Sequence, residues 1–364
     1  MIAPRVRYSD YMRYAKLETG ARYNLATSGV PDCTLDDICA DLAALDLQGP
    51  NVYGYPPLIE KIAGRFGVPE ACVVTPGGGC SFANHLAMAS VLEPGDSVLV
   101  ETPVYELLPA ALGGLNAKLG FAPRRLEDGW RLNVEAIVEG IRSGVRLVVL
   151  TNLHNPTGAL AAAEDLAALA EAAEDTGAWI LIDEIYLELA FPDGAGPTAF
   201  SPQGRVIVTS GLTKIYGLSG LRCGWILAPA DVAERARRMN DLFGARHVFL
   251  AEQLASAAFD RLAVLRARAD ALIKTNREAY AEILGGHPAL EQVRFPHGTT
   301  VFPRLRRGDM NAFAAALVER YETVVAPGRF FDAEAHMRLG LAGDPAMTRE
   351  GFTRLAEALE TLLP

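Results

Sequence analysis

The sequence predicts an α/β protein, with a large domain built on a mostly parallel sheet and a smaller α+β unit. From about residue 71 onward, short apolar runs alternate with helix-like stretches, a pattern typical of parallel strands covered by helices on both faces. The alternation stops after Trp225, where 231–284 is typical of long helices rich in Ala, Arg and Glu. A chain of 364 residues exceeds the usual size of one core, so two domains are expected.

The strands are predicted at the apolar runs, and the helices where apolar residues recur at helical spacing. In chain order the strand-like runs are ACVVTP, SVLVETP, VRLVVLTN, AWILIDEIY and RVIVTSG. Helical spacing marks SFANHLAMASVL and an Ala-rich segment around 161–176. Two later runs, TTVFPRL and HMRLGLAG, favour strands of the smaller unit. We therefore expect a large domain at 31–235 and a small domain made of 1–30 and 236–364.

Composition and charge exclude several classes of partner. The formal net charge is -10 and no run of Lys or Arg exceeds two residues, so no basic face for nucleic acid or anionic lipid is expected. The chain starts without the apolar core of a signal peptide, and no stretch approaches the ~18 apolar residues that span a membrane. Five scattered cysteines without a C-x-x-C pair indicate reduced thiols and no zinc site. We expect a cytoplasmic protein with no metal and with neither nucleic-acid nor membrane partners.

A glycine-rich segment, TPGGGCS at 75–81, follows the first strand-like run and opens a helix. Such a junction presents free backbone N–H groups and the positive end of a helix dipole, so a phosphate is its natural ligand. No Gly-Lys-Ser/Thr follows, and Phe82 stands where the third glycine of G-x-G-x-x-G belongs, which excludes two common nucleotide motifs. The alternative is a plain glycine turn between strand and helix.

Two polar residues follow apolar strands, at the edge where open α/β sheets gather their ligand contacts. Asn155 belongs to an Asn-Pro turn, and Asp183 ends the run AWILID. A buried ionised Asp183 needs a cationic partner, and one such partner is a protonated pyridine nitrogen. A turn role for Asn155 and a helix cap or salt bridge for Asp183 are the alternatives.

Lys214 comes shortly after the last strand-like run of the large domain, which ends in small residues, and glycines lie on both sides of the lysine. Desolvation and nearby positive charge would lower the pKa of such an amine, as imine formation requires. Arg222, eight residues later, offers a planar fork that suits phosphate oxygens. Taken alone, Lys214 would be read as a solvated surface lysine.

The order and spacing of these motifs resemble the class I/II aminotransferases, which are fold-type I enzymes dependent on pyridoxal phosphate. The resemblance covers most of the chain, from about Gly29 to Arg338. It is carried by Gly77-Gly78-Gly79, Tyr105, Asn155-Pro156, Asp183 with Tyr186, Lys214, Arg222 and Arg338. The resemblance implies a three-layer α/β/α large domain and the transfer of an amino group from an amino acid to a 2-oxo acid.

The resemblance also implies a role for each residue around the cofactor ring. Lys214 would form the internal aldimine with pyridoxal phosphate and shuttle the proton of the substrate α-carbon. Asp183 would pair with the pyridine nitrogen and keep it protonated, so that the ring acts as an electron sink. Asn155 and Tyr186 would contact the phenolic oxygen of the ring. Tyr105 would stack on the ring face.

The cofactor's phosphate would be bound by the backbone of Gly78 and Gly79 together with Arg222 and a hydroxyl near the lysine. Many relatives carry serine at the position of Gly211. Ser210 and Thr213 flank that position, and both remain candidates for the hydroxyl.

The substrate would be held by Arg338, whose guanidinium would grip its carboxylate, and by Asn155, with the backbone of Gly29 close by. Tyr53 resembles the tyrosine that reaches the phosphate of the neighbouring subunit, which implies a homodimer with shared active sites. The motif around Tyr53 is shorter than in the family, so Tyr55 is the alternative.

The reaction is less constrained than the cofactor. The same scaffold supports transamination, decarboxylation, elimination and cyclisation, and the segments 298–305 and 326–330 resemble several branches of the family, including one that cyclises an arginine derivative. Transamination is the expected reaction, and a lyase, decarboxylase or cyclase is the alternative. A non-catalytic sensor domain that binds pyridoxal phosphate is a third and more remote possibility.

Overall fold

The computed structural model describes residues 8–38, 41–191 and 196–363 of the chain. The strands are β1 (Tyr23–Asn24), β2 (Val73–Val74), β3 (Ser97–Thr102), β4 (Lys118–Pro123), β5 (Leu147–Thr151), β6 (Trp179–Asp183), β7 (Val206–Gly211), β8 (Gly224–Leu227), β9 (Leu290–Glu291), β10 (Thr300–Val301), β11 (Arg304–Leu305), β12 (Thr323–Val324), β13 (Ala326–Pro327) and β14 (Met337–Gly340). The α-helices are α1 (Asp10–Leu17), α2 (Leu35–Ile38), α3 (Pro56–Phe66), α4 (Gly79–Ala89), α5 (Leu107–Gly114), α6 (Val134–Arg142), α7 (Ala163–Thr176), α8 (Ala230–Asp241), α9 (Phe249–Phe259), α10 (Leu262–Ile283), α11 (Met310–Tyr321) and α12 (Pro345–Leu362).

A seven-stranded sheet of order β2-β8-β7-β6-β5-β3-β4 forms the centre of the larger part of the chain. Strands β4, β3, β5, β6 and β7 run parallel, while β8 is antiparallel to both β7 and β2. This mostly parallel sheet with helices on both faces confirms the α/β fold class that the sequence predicts.

Strand β5 shows why the apolar runs are continuous rather than alternating. Val148 and Leu150 pack in one core with residues of α3, α6 and α7, whereas Leu147 and Val149 pack in a second core with residues of α4, α5 and α8. Successive side chains of a strand point to opposite faces, and here both faces are covered, so the residues from Leu147 to Leu150 are all apolar.

The register of the sheet aligns the polar ends of neighbouring strands. Thr151 of β5 is opposite Asp183 of β6, which in turn is opposite Thr209 of β7. Polar groups thus meet at the carboxyl ends of three parallel strands, where open α/β sheets bind their ligands.

A further core lies at the C-terminal part of the chain. It joins Leu25 to residues of α10, α11 and α12 and to the antiparallel sheet β10-β14-β13. Helix α9 and the first half of α10 pack instead with the core of the large sheet. The division into 31–235 and 1–30 with 236–364 stays a prediction.

No helix of the described residues combines the length and the apolarity that crossing a bilayer requires. The same residues contain no group of three or more His, Cys, Asp and Glu side chains arranged to hold a metal ion.

Candidate active site

A cavity opens at the carboxyl ends of β5, β6 and β7 and brings together most of the side chains that the sequence singles out. Its predicted members are Tyr105, Asn155, Asp183, Tyr186, Thr213, Lys214 and Arg222. Its other members are Tyr11, Met12, Ala15, Ser28, Cys80, Ser81, Asn84, Thr151 and Ile185.

Lys214 lies in the loop after β7 and projects into this cavity. Its Nζ donates a hydrogen bond to Ser28 Oγ over 3.3 Å, and its backbone carbonyl accepts from Val30 N at 3.0 Å. A Cβ at Gly29 would stand 3.4 Å from Lys214 Cδ, so the absence of a side chain at Gly29 leaves the lysine room to move. The segment 28–30 therefore holds the loop of Lys214 and leaves its amine accessible.

Asp183 ends β6 with its carboxylate buried beneath the cavity. Oδ2 accepts a hydrogen bond from Asn84 Nδ2 at 2.8 Å, and Oδ1 accepts from Ile185 N at 3.1 Å. Burial raises the pKa of the Asp183 carboxyl above its usual value, although both hydrogen bonds act against the rise. Among the described residues Asp183 forms no ion pair, so a cationic ligand in the cavity would stabilise its charged form.

Asn84 fixes the orientation of the Asp183 carboxylate. It lies on α4, and its Oδ1 accepts a hydrogen bond from the hydroxyl of Thr209. Because the carbonyl end is already engaged, the NH₂ end of Asn84 must face Asp183. Residues of two strands and one helix thus set the position of one carboxylate.

The glycine-rich turn and Arg222 form a second polar region at the N-terminus of α4. Gly79 N donates to Arg222 O at 2.7 Å, and Arg222 Nη2 donates to Gly78 O at 2.9 Å. Gly79 has φ +73°, and a Cβ there would come within 2.6 Å of Arg222 Nη2, so only glycine fits. The free N–H groups of the helix and this guanidinium form a site suited to an anion.

Of the two candidate hydroxyls near Lys214, the structure brings only one to the cavity. Thr213 lines it. Ser210 is buried in β7, and its Oγ donates to Glu184 O over 3.4 Å. Ser81, in the first turn of α4 and at the end of the glycine-rich segment, lines the cavity as well.

Arg338 is completely buried on β14, beside Asn155. Its Nη1 donates to Asn155 Oδ1 at 3.1 Å, and its Nη2 donates to Tyr11 Oη at 2.6 Å and to Ala26 O at 3.0 Å. Its Nε has no hydrogen-bond partner in the described part of the chain. A buried guanidinium with unused donors is suited to a carboxylate.

Asn155 is held in turn by a buried ion pair. Its backbone N donates to Thr151 Oγ1 at 3.0 Å, and Thr151 Oγ1 donates to Glu101 Oε1 at 2.9 Å. Glu101 pairs with Arg124 at 2.6 Å, with both side chains excluded from solvent. Breaking such a pair leaves a buried charge, so this support is expected to be rigid.

Two tyrosines complete the wall of the cavity. Tyr186 Oη donates to Ser28 Oγ at 2.9 Å, which places it near Lys214. Tyr105 Oη donates a hydrogen bond to Met12 Sδ over 3.6 Å. Burial raises the pKa of the Tyr105 hydroxyl well above its usual value. Tyr105 therefore stays neutral and presents an aromatic face.

Tyr53 and Tyr55 do not reach the cavity of their own chain. Tyr53 is 40% exposed, and its hydroxyl lies 3.3 Å from Asp241 Oδ2 and 3.2 Å from Arg238 Nη1. Tyr55 packs edge-on against Phe249, with ring centroids 5.2 Å apart. A role at a neighbouring subunit stays a prediction for both.

The cavity fits pyridoxal phosphate in its chemistry. It offers a buried carboxylate that forms no ion pair with any described residue for the ring nitrogen, an anion site at α4 and Arg222 for the phosphate, and the amine of Lys214 for the aldehyde. Sequence reasoning missed Tyr11, Ser28 and Asn84, because their contacts join segments that are remote along the chain.

Comparison with known proteins agrees with this chemistry. The family model for aminotransferase class I and II matches residues 30–359. The arginine–pyruvate transaminase of Pseudomonas aeruginosa is 29% identical over 374 residues, which cover 97% of this chain and 94% of that protein. The capreomycidine synthase of Streptomyces vinaceus is 28% identical over 379 residues, covering 98% and 94%.

Solved structures show the same fold. A pyridoxal-phosphate-dependent aminotransferase from Streptococcus suis superposes with a TM-score of 0.89 at 24% identity, covering 99% of this chain and 98% of its own. A pyridoxal-phosphate-dependent cyclase superposes with a TM-score of 0.86 at 23% identity, covering 99% of both chains. The family match, which spans most of the chain, decides the assignment. The chain belongs to the class I and II aminotransferase family and is a pyridoxal-phosphate-dependent aminotransferase.

Proposed function

We propose that Lys214 carries the cofactor linkage and moves the proton as an amino group passes from an amino acid to a 2-oxo acid. One observation carries the proposal: a single cavity joins the amine of Lys214, the buried carboxyl of Asp183 and the guanidinium of Arg222. When bound, pyridoxal phosphate supplies an aldehyde that condenses with an amine and a ring that draws electrons from the substrate's α-carbon.

Asp183 would hold a proton on the ring nitrogen. Its two oxygens already accept hydrogen bonds from Asn84 and Ile185, and these bonds favour the charged form against the cost of burial. An ionised carboxylate would then face the cationic nitrogen in a setting of low dielectric, where their attraction is strong.

The two arginines would bind two different anions. Arg222, Thr213 and the free N–H groups of the first turn of α4, which begins at the turn of Gly78 and Gly79, would bind the phosphate, and Thr213 is preferred to Ser210 because it lines the cavity. Arg338, which reaches the cavity through Asn155 and Tyr11, would receive the substrate carboxylate together with Asn155. With both anions fixed, the α-carbon would be held within reach of Lys214 Nζ.

Lys214 Nζ would take the proton from the substrate's α-carbon and deliver it to C4′ of the cofactor, as the resemblance to the family implies. Its hydrogen bond to Ser28 Oγ, which also accepts from Tyr186, sets the resting position of the amine. Tyr105 and Tyr186 would cover the ring and limit access of water. Asn155 and Tyr186 would also contact its phenolic oxygen, and the Gly29 backbone would lie along the substrate.

The reaction is tested by supplying the holoenzyme with a panel of amino acids while 2-oxo acid, carbon dioxide and ammonia are measured. We expect a 2-oxo acid that forms only when a 2-oxo acid acceptor is present. Carbon dioxide or ammonia without an acceptor would indicate a decarboxylase or a lyase instead. Bound cofactor with no turnover would indicate a sensor domain.

A cyclase is the second candidate function. The observation that favours it is the similarity to capreomycidine synthase, at 28% identity over nearly the whole chain. In the same panel, a product that keeps its α-amino group, formed without any 2-oxo acid, would favour cyclisation. Cationic amino acids therefore belong in the panel.

We further propose a homodimer in which Tyr53 of the partner subunit reaches the phosphate. Tyr53 contacts the end of α8 through Arg238 and Asp241. Exposed apolar side chains occur close in sequence to Tyr53 and to the end of α8, namely Leu47, Val52, Leu242, Phe243 and Val248. Exposed apolar side chains are typical of an interface, and a second copy of the chain is the occupant that the shared-site prediction requires.

Sedimentation of the purified protein is expected to give twice the mass of the chain. Tyr53→Phe is expected to weaken cofactor affinity by about tenfold, because one hydrogen bond to a charged group is lost. Tyr55→Phe is the matched variant and should bind the cofactor normally. Weaker cofactor binding in Tyr55→Phe but not in Tyr53→Phe would assign the role to Tyr55. A monomer with full activity would contradict the shared site.

We also infer that the protein works in the cytoplasm. Four cysteines of the described residues, Cys33, Cys72, Cys80 and Cys223, are free thiols. Free thiols without a disulfide framework are typical of a reducing compartment.

A further inference from the structure

Tyr11 stands between Arg338 and the cavity of Lys214, on a helix that the motifs do not mark. It lies on α1, ahead of the segment 30–359 that the family model matches. Together with Met12 and Ala15, it forms one wall of the cavity. Helix α1 is therefore part of the site, although the family pattern does not describe it.

The hydrogen-bonding capacity of the Tyr11 hydroxyl is only half used. A tyrosine hydroxyl accepts hydrogen bonds through its lone pairs and donates one proton. Its oxygen accepts from Arg338 Nη2 at 2.6 Å, whereas no described residue accepts the Tyr11 proton. Tyr11 also lines the cavity, so this donor is available to a ligand.

The position of Tyr11 is tightly fixed. Its backbone N donates to Glu106 Oε2 at 2.6 Å, and its ring meets those of Tyr105 and Phe330 edge-on at centroid distances of 5.4 Å and 5.6 Å. A donor held this firmly loses little entropy when it binds a ligand.

Arg338 keeps only part of its donors free for a ligand, so a second donor beside it adds to the carboxylate site. Nη2 is fully engaged by Tyr11 Oη and Ala26 O, and Nη1 reaches Asn155 Oδ1. Burial alone would raise the pKa of the Tyr11 hydroxyl, but the positive charges of Arg338 and Lys214 outweigh burial and hold it below the ordinary value. A more acidic hydroxyl is a stronger hydrogen-bond donor to an anion.

We infer that Tyr11 is a substrate-binding residue. Its hydroxyl accepts a hydrogen bond from Arg338 and donates a hydrogen bond to the carboxylate of the substrate. This inference rests on the proposed aminotransferase function. It adds a specificity contact from α1 to the carboxylate site of Arg338 and Asn155. A substrate with an uncharged amide in place of the carboxylate would gain much less from it.

The test uses the holoenzyme and the Tyr11→Phe variant, which keeps the aromatic contacts. Two probes are used. The first is the carboxylic acid obtained by removing the α-amino group from the best amino donor, and the second is the carboxamide of that acid. We expect Tyr11→Phe to bind the acid about tenfold more weakly and to bind the carboxamide as wild type does. In turnover, the KM for the amino donor should rise more than kcat falls. Tyr14→Phe, on the same helix and bonded to Val325 O, is the control and should bind both probes normally.

Three results would overturn the inference: unchanged affinity for the acid, equal weakening for acid and carboxamide, or tighter binding of the acid. The last would mean that the hydroxyl obstructs Arg338. Failure of the proposed function would show differently, since wild type itself would then lack either a borohydride-sensitive absorbance band or turnover.

Discussion

Replacing Lys214 with alanine is expected to lower the turnover number by about 10²- to 10⁴-fold, the contribution of a well-placed acid–base group. The variant loses both the amine that attaches the cofactor and the group that moves the α-proton. Arg222, the turn at Gly79 and Asp183 remain, so the variant is expected to retain free cofactor. Turnover and the absorbance of the purified variant measure the two effects separately.

Lys274→Ala is the matched control, because Lys274 is an exposed lysine on α10. It should keep wild-type turnover and the borohydride-sensitive band. Full activity in Lys214→Ala would contradict the assignment, and so would equal loss in both variants.

Asp183→Asn is expected to lower kcat by about 10²- to 10³-fold, the range seen when one preorganised electrostatic contact to the transition state is removed. The amide has the size of the carboxyl but no negative charge, so the ring nitrogen would no longer keep its proton. Cofactor binding should fall less than kcat, because the phosphate contacts remain. Single-turnover kinetics of the loaded variant separate chemistry from binding.

Glu184→Gln is the control for Asp183→Asn. Glu184 is the next residue and is equally buried, and burial raises the pKa of its carboxyl to about 8, so it is already largely neutral at pH 7. Exchange for a neutral amide should therefore preserve most of the turnover. A kcat for Asp183→Asn within about threefold of wild type would remove Asp183 from the mechanism.

The central strands could be predicted because their environment leaves a local mark. Both faces of β5 and β6 are covered, so every position is buried and the runs are continuously apolar. The edge strand β4 gives no such signal, because most of its residues are partly or fully exposed and a glycine interrupts it. Strand β2 was predicted at the run ACVVTP even though it has only two residues, because both of them are buried and apolar.

The site was predictable where motifs are local and unpredictable where contacts are distant. Lys214 and Arg222 share one loop and its flanking strands, and their spacing carried the resemblance to the family. Ser28 touches Lys214 across 186 residues, and Tyr11 touches Arg338 across 327. No spacing rule connects such segments, because only the packing of the whole chain brings them together.

The choice between two hydroxyls illustrates the same limit. Ser210 and Thr213 stand on either side of Gly211 in the sequence, and neither spacing nor residue type separates them. Their positions in the structure differ, since Ser210 belongs to β7 and bonds to Glu184 O, while Thr213 lies in the loop beyond the strand and lines the cavity, and this difference is why we propose Thr213.

The most direct test of the account is a peptide map of the holoenzyme after borohydride reduction. Reduction makes the lysine–cofactor linkage permanent and blocks tryptic cleavage at the modified residue. The account predicts that the added mass of the reduced cofactor appears on the peptide 206–222, at Lys214. The added mass on another lysine, or on none, would contradict it.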